Sequence, residues 1–322
     1  MAVRYHAWFD EGQKVATRSG QCVDVGEAMT AAIVLSAGLG TRLAPLTDEL
    51  AKPLMPVGDR PVLAHVVEAL GRGGVTRIVA NTHHRAADFQ RKIDHLTAKV
   101  HFLHEPRILG TAGGVANAAS ALGDGPIVVW NGDILAPDLD VLAVVAEHAR
   151  GGAGVLWVVE PTAPGTGTVG LDDTGCIVRL RGQQFGSETS GGEFLGIQVM
   201  GADLRRALPR EGCLVADVAL PFLRRGGRIA AFPYRGAWDD IGQPASLLRA
   251  NLRWLERHRC ATWSAKDAKI DAGAVLEQSL AGKGAVVAGV GAVRECVIFP
   301  GARLTAPAAR MLVGERAALA VP

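Results

Sequence analysis

Aromatic residues make up only 5% of this 322-residue chain, and its positive and negative charges nearly cancel, leaving +2. Nucleic-acid binding shows itself as a basic stripe, and single-strand binding adds aromatic platforms between the cations. Neither pattern is present, so no nucleic-acid partner is expected. No apolar run is long enough to span a membrane, and the first 26 residues lack the apolar core of a signal peptide. No membrane partner is expected either. The five cysteines, Cys22, Cys176, Cys213, Cys260 and Cys296, are odd in number, far apart and without a CxxC pair. That spacing excludes a disulfide framework and a structural zinc site, and it suits a reducing cytoplasm. There is also no GxGxxG dinucleotide fingerprint and no nucleophile elbow.

What is present is apolar and glycine-rich. Hydrophobic residues reach 48%, enough for a large core, and 40 glycines supply turns and close approaches. Ala31 to Leu35 reads as a buried strand of a parallel sheet. Pro61 opens a helix with Leu63, Val66, Val67 and Leu70 on one face. A second strand follows at Thr76 to Ala80. The alternation continues with strands at 99–104, 126–130, 155–160 and 193–200, helices at 113–122 and 139–150, and a hairpin at 167–181. A last helix spans 244–258. This order predicts an α/β fold with a mixed, mostly parallel sheet flanked by helices. Residues 1–29 show no period and are expected to be a flexible extension, with Met29 as a candidate natural start. Residues 30–260 form the expected catalytic domain.

After Trp263 helical spacing disappears. Gly-Ala recurs at Gly273, Gly284, Gly291 and Gly301, with spacings of 11, 7 and 10. Residues 261–322 therefore read as a degenerate hexapeptide-repeat, left-handed β-helix-like tail. Such a tail is expected to pack on the catalytic domain and to mediate self-association. It lacks an evident catalytic histidine for acyl transfer.

Four motifs carry chemistry. The first is Ser36-Ala37-Gly38-Leu39-Gly40-Thr41-Arg42, with Lys52-Pro53 ten residues beyond Arg42. Glycines after a buried strand bring backbone N–H groups toward an anionic phosphate, and Arg42 and Lys52 add two cations. The second is Asn131-Gly132-Asp133 at the carboxyl end of a strand, where open α/β sheets bind ligands. A carboxylate there suits Mg²⁺, although a turn or cap Asp fits the same position. The third is Trp238-Asp239-Asp240-Ile241-Gly242-Gln243-Pro244. The fourth is Gly110-Thr111-Ala112-Gly113-Gly114, a ligand loop or the Gly-rich start of a helix. Adjacent histidines, His83 and His84, point apart on extended backbone and have no ligand-spaced partner, so they are read as loop residues.

Together, Ile33 to Pro56 and these motifs resemble the signature of sugar-1-phosphate nucleotidyltransferases, the NDP-sugar pyrophosphorylases. The resemblance covers residues 31–258 and implies a Rossmann-like, glycosyltransferase-A-type fold. It implies that Arg42 and Lys52 bind the triphosphate with Ser36, Ala37, Gly38, Gly40 and Thr41. Asp133 and Asp240 then hold Mg²⁺, and Asp239 is left as a surface or capping residue. Asn81, Gly110 and Thr111 would approach the base, and Gly113, Gly114 and Glu193 the sugar phosphate. The chain departs from the family where many relatives carry Glu-Lys-Pro. Leu180-Arg181-Gly182 stands there, so Arg181 either supplies the missing cation or is an exposed strand-end residue. The overall look is closest to mannose-1-phosphate guanylyltransferases. Glucose-1-phosphate with UTP or dTTP, and N-acetylsugar or heptose phosphates, remain as alternatives. So does a catalytically silent NDP-sugar sensor.

Overall fold

A computed structural model of the chain describes residues 31–93, 100–152 and 154–322, and the backbone of residues 14–16 and 22–24. Lys14–Ala16 and Cys22–Asp24 pair antiparallel. The expectation of a flexible extension otherwise falls outside the described residues.

The larger, N-terminal part of the described chain is built on a ten-stranded mixed sheet. Its strands are β1 (Ala31–Leu35), β2 (Arg77–Thr82), β3 (Val100–His104), β4 (Ile127–Asn131) and β5 (Val155–Thr162). They continue as β6 (Val169–Leu171), β7 (Ile177–Leu180), β8 (Gln183–Gln184), β9 (Ser190–Met200) and β10 (Ile229–Pro233). The order is β8-β7-β6-β9-β4-β1-β2-β3, with β5 joined to β9 and β10. β4, β1, β2 and β3 run parallel, so their carboxyl ends share one edge. β9 pairs antiparallel to β4 only through Ile197–Met200, so its first half projects past that edge.

Sequence dictates these elements directly. β1 is an unbroken apolar run because helices cover both its faces: Ala32 and Val34 enter one core, Ala31 and Ile33 another. α1 (Val62–Arg72) buries Leu63, Val66, Val67 and Leu70, the predicted stripe. Pro61 caps that helix rather than opening it. α2 (Ala86–Ile93) follows β2. α3 (Gly110–Asn117) begins three residues earlier than the sequence suggested, so Gly110 and Thr111 form its first turn. α4 (Val141–Gly151) starts where the Asp140 carboxylate accepts from the Ala143 N–H at 3.0 Å. α5 (Pro244–Arg257) has Pro at its first position, as expected.

The tail coils as parallel strands. Trp263 pairs with Leu280 and Leu280 with Val297, a step of 17 residues each time. Gly284 and Gly301, also 17 apart, both take positive φ, +66° and +78°. Gly284 and Gly301 thus mark equivalent tight corners of successive 17-residue coils, and the next step, from Val297 to Leu312, shortens to 15 residues. The tail shares its core with the part that carries the ten-stranded sheet: Leu280, Val297 and Leu312 belong to the same buried cluster as Leu46, Leu54 and Leu247. Each such buried aliphatic side chain contributes about 1.5–3 kcal/mol. Trp254 of α5 meets Trp263 edge-on at 5.9 Å.

Candidate active site

β1 ends at Leu35, and the chain turns sharply over the sheet edge. Gly40 takes φ +67°, and a Cβ there would lie 2.9 Å from Thr47 Cγ2 and 3.0 Å from Lys52 Cβ. Only glycine meets both the dihedral and the space. Leu43, Leu46, Leu54 and Met55 are buried beneath this segment and anchor it. Its polar residues are left facing outward. The result is a 210 Å³ pocket lined by Ser36, Gly38, Gly40, Thr41, Arg42, Lys52, Asp133 and Gly242. Ser36 and Ala37 are themselves buried, at 3% and 6% exposure.

Three remote segments meet there. The Lys52 ammonium donates to Asp133 Oδ2 and lies 4.0 Å from Asp240 Oδ1. At that separation, with an effective dielectric near 20, the gross attraction to Asp240 is about 4 kcal/mol. Water screens it further, because the Asp240 side chain is 47% exposed. The convergence of the two carboxylates has a local cause. Asp239–Asp240 pairs antiparallel with Ile134–Leu135, placing Asp240 opposite Ile134, the neighbour of Asp133. The Ile241 N–H donates to the Asp133 carbonyl at 3.0 Å. Gly132 lets this turn cross β1: a Cβ there would meet Ser36 Oγ at 2.7 Å and Leu35 O at 2.8 Å.

Asp239 corrects the sequence reading. It is a buried residue, not a surface or capping one, at 6% exposure. Alternation on the short strand turns it away from Asp240. Its carboxylate accepts from Arg249 at 3.0 Å and Arg253 at 2.9 Å. Trp238, next to it, donates its indole N–H to Glu160 at 2.8 Å.

The donor set fits Mg²⁺. Both partly exposed groups are carboxylates, they share one cation, and they face open space where phosphate oxygens and water could complete a shell. Among the described residues no cluster of three metal-ligating side chains exists. A phosphate-assisted site of two carboxylates needs none.

The remaining predicted residues are placed differently. Asn81 is 2% exposed: its Oδ1 accepts from the Ser36 N–H at 2.7 Å and its Nδ2 donates to Glu105 at 2.8 Å. It therefore supports the loop after β1 from below. Gly110 and Gly113 pack closely on the segment around residues 210–212. Their Cβ positions lie 2.3 Å from Gly212 O and 2.6 Å from Arg210 O. Gly114 packs on Asn81 in the same way, at 2.6 Å from its Nδ2. The Thr111 hydroxyl accepts from the Leu214 N–H at 2.8 Å. These residues dock the segment 210–214 on α3, the helix-start reading of the sequence.

Glu193 lies on the projecting half of β9, half-buried and directly opposite Glu160 on β5. Burial pushes its pKa up, and the Glu160 charge adds to that, against a hydrogen bond from the Thr168 N–H at 3.1 Å. Arg181 is exposed at the turn between β7 and β8, with φ +48°. Neither meets the Lys52 cluster. His83 and His84 tie loops together through the carbonyls of Glu105 and Thr47, at 2.7 Å each. The four described cysteines are unpaired.

Gly242, Glu105 and Glu160 escaped the sequence reading as site residues. A Cβ on Gly242 would lie 2.8 Å from Arg42 Nη2, 2.9 Å from Asp240 Oδ1 and 3.2 Å from Lys52 Nζ. Its place two residues after Asp240 was the available signal. Glu105 is a 0%-exposed carboxylate beneath Asn81, and nothing in its local sequence marks that.

Known proteins resemble this chain in sequence and fold. The nucleotidyl transferase family profile matches residues 31–257. The catalytic subunit beta of mannose-1-phosphate guanylyltransferase from Danio rerio is 32% identical over 239 residues, 71% of this chain and 65% of that protein. A mannose-1-phosphate guanyltransferase from Aspergillus oryzae is 29% identical, over 70% of this chain and 64% of its own length. The chain thus spans just under two thirds of these relatives. Among solved structures, HddC from Yersinia pseudotuberculosis, complexed with GMP-PN, superposes with a TM-score of 0.60 at 22% identity. That match covers 70% of this chain and all of HddC. A putative glucose-1-phosphate thymidylyltransferase from Bacillus anthracis gives the same score at 22% identity, covering 70% of this chain and 95% of that one. These likenesses show a shared fold, and the matched span contains every strand of the ten-stranded sheet. The chain belongs to the nucleotidyl transferase family.

Proposed function

We propose that this protein transfers a nucleotidyl group from a nucleoside triphosphate to a sugar 1-phosphate and releases pyrophosphate, with GTP and mannose 1-phosphate as the substrate pair. One observation supports the reaction: Arg42, Lys52 and Asp133 line one pocket at the sheet edge, and Asp240, from a third remote segment, stands 4.0 Å from the Lys52 ammonium. The substrate pair rests on the names of the relatives in the guanylyltransferase group.

The reaction joins a phosphate oxygen of the sugar 1-phosphate to the α-phosphorus as the α–β bridging bond breaks. Arg42 and Lys52 stabilise the charge that builds on the departing pyrophosphate. No general base is needed, because the attacking phosphate is already ionised at neutral pH. The chain's main contribution is alignment of two anions that would otherwise repel. Asp133 and Asp240 would hold Mg²⁺, which when bound supplies positive charge between the reacting phosphates. Glu193, on the projecting rim, is the residue we assign to the sugar. A reducing cytoplasm suits the unpaired cysteines. Among the described residues no helix is long and apolar enough to cross a membrane. The coiled tail is proposed to join copies of the chain, which light scattering at micromolar concentration checks.

The test is pyrophosphate release with Mg²⁺ across five nucleoside triphosphates and a panel of sugar 1-phosphates. Release is expected only with both substrates, fastest with GTP and mannose 1-phosphate. Asp133→Asn is expected to lower kcat by about 10²-fold or more while keeping the fold. Full activity in that variant removes Asp133 from the mechanism. Nucleotide binding without release from any pair moves the reading to an NDP-sugar sensor.

A further inference from the structure

Lys52 is held where a metal would be expected. Its ammonium bonds Asp133 and stands 4.0 Å from Asp240, and its side chain is only 11% exposed. The stem runs close over Gly40, where an added Cβ would come within 3.0 Å of Lys52 Cβ. Arg42, the other cation of the pocket, has no carboxylate within salt-bridge reach among the described residues. The two carboxylates are thus served by one protein cation, bonded to Asp133 and within 4.0 Å of Asp240.

We propose that Lys52 is a placeholder that makes metal binding conditional on the nucleotide. The proposal rests on the assignment of Asp133 and Asp240 as the metal pair. An ammonium and a divalent cation cannot share the gap between two carboxylates, because like charges at salt-bridge distance repel. A triphosphate changes both sides of that balance. It offers Lys52 new anionic partners and offers the metal further oxygen ligands. Metal and nucleotide therefore enter together, and the metal alone is excluded. The same contact keeps two neighbouring carboxylates from repelling each other in the nucleotide-free protein.

The test is a Mn²⁺ titration of the full chain, read by electron paramagnetic resonance without nucleotide. Lys52→Gln is expected to bind Mn²⁺ at least about tenfold more tightly than wild type. Lys52→Arg, which keeps the charge, should behave as wild type. Adding Asp133→Asn to Lys52→Gln should abolish the gained site. Lys52→Met, which keeps the buried stem, takes its place should Lys52→Gln fail to fold. Wild type should bind Mn²⁺ in the presence of a non-hydrolysable GTP analogue. Equal Mn²⁺ affinity in wild type and Lys52→Gln, lost on Asp133→Asn, overturns the placeholder and leaves the metal pair standing. No Mn²⁺ bound by any form, even with the analogue, overturns both.

Discussion

Gly242→Ala offers a way to disturb the chemistry without disturbing the fold. The new methyl carbon would sit 2.8 Å from Arg42 Nη2, 2.9 Å from Asp240 Oδ1 and 3.2 Å from Lys52 Nζ. The first two distances are below any real carbon contact, so those atoms must move. All three belong to side-chain ends, two of them long and flexible. The backbone at Gly242 lies outside the positive-φ region, so alanine is permitted there. Removing glycine also restricts the unfolded chain, worth about 0.4–1 kcal/mol of stability. The melting temperature should accordingly move little. The site should not be so tolerant. Displacing groups that align reacting phosphates by about 1 Å costs about 10²-fold in rate, roughly 2.7 kcal/mol of barrier. Steady-state pyrophosphate release, alongside a thermal melt, measures both quantities. Wild-type kcat and KM in a folded variant would refute the role given to these three heads. A large fall in melting temperature would show that the backbone, not the side chains, absorbs the clash.

Gly38→Ala is the companion variant. A Cβ there meets no protein atom within 4 Å, so the melt should be unchanged, while KM for the triphosphate should rise because that space faces the pocket. Asp239→Asn should do the reverse of Asp240→Asn. It should lower stability by about 1–3 kcal/mol in urea unfolding, since it weakens a buried carboxylate held by two arginines that are themselves half exposed. Asp240→Asn should leave the melt intact and remove activity. Burial lowers the pKa of His65, against a hydrogen bond to Val57 O at 2.8 Å that favours the charged ring. The unfolded chain then binds more protons than the folded one between the lowered value and 6.5. Stability should fall as pH drops through that window, and His65→Gln should flatten the slope. An unchanged slope in that variant would assign the acid sensitivity elsewhere.

Some of this was legible because the residues themselves carry the constraint. Four apolar residues at helical spacing fixed the buried face of α1, and an unbroken apolar run fixed β1 as central. Gly40 was legible as a turn glycine after a buried strand, although its close approach to Lys52 was not. What stayed hidden depends on partners distant in sequence. Gly113 reads as room for a ligand until Arg210 is found filling that room, 97 residues away. Asn81 looks available until Glu105 and Ser36 occupy its amide. The tail's period was obscured because glycines from two different corners of each coil were read as one series. Only the strand pairing separates them into a 17-residue step.

The register of one two-residue ladder decides which aspartate approaches Lys52. Side chains alternate along an extended strand, so a slip by one residue would bring Asp239 to the pocket and bury Asp240. The ladder between Ile134–Leu135 and Asp239–Asp240 is too short to resist that slip through its own hydrogen bonds. Four contacts outside it fix the register. Arg249 and Arg253, one turn apart on α5, both grip Asp239. Trp238 is tied to Glu160, and Ile241 to the Asp133 carbonyl. In the slipped register Asp240 would be buried without the arginines positioned for it, and an uncompensated buried carboxylate costs several kcal/mol. Burying Asp239 costs desolvation that an apolar residue would avoid. An apolar residue at that position would not discriminate between the two registers, and the two arginines do. The second Asp of the motif reaches Lys52 because the first is held in the core.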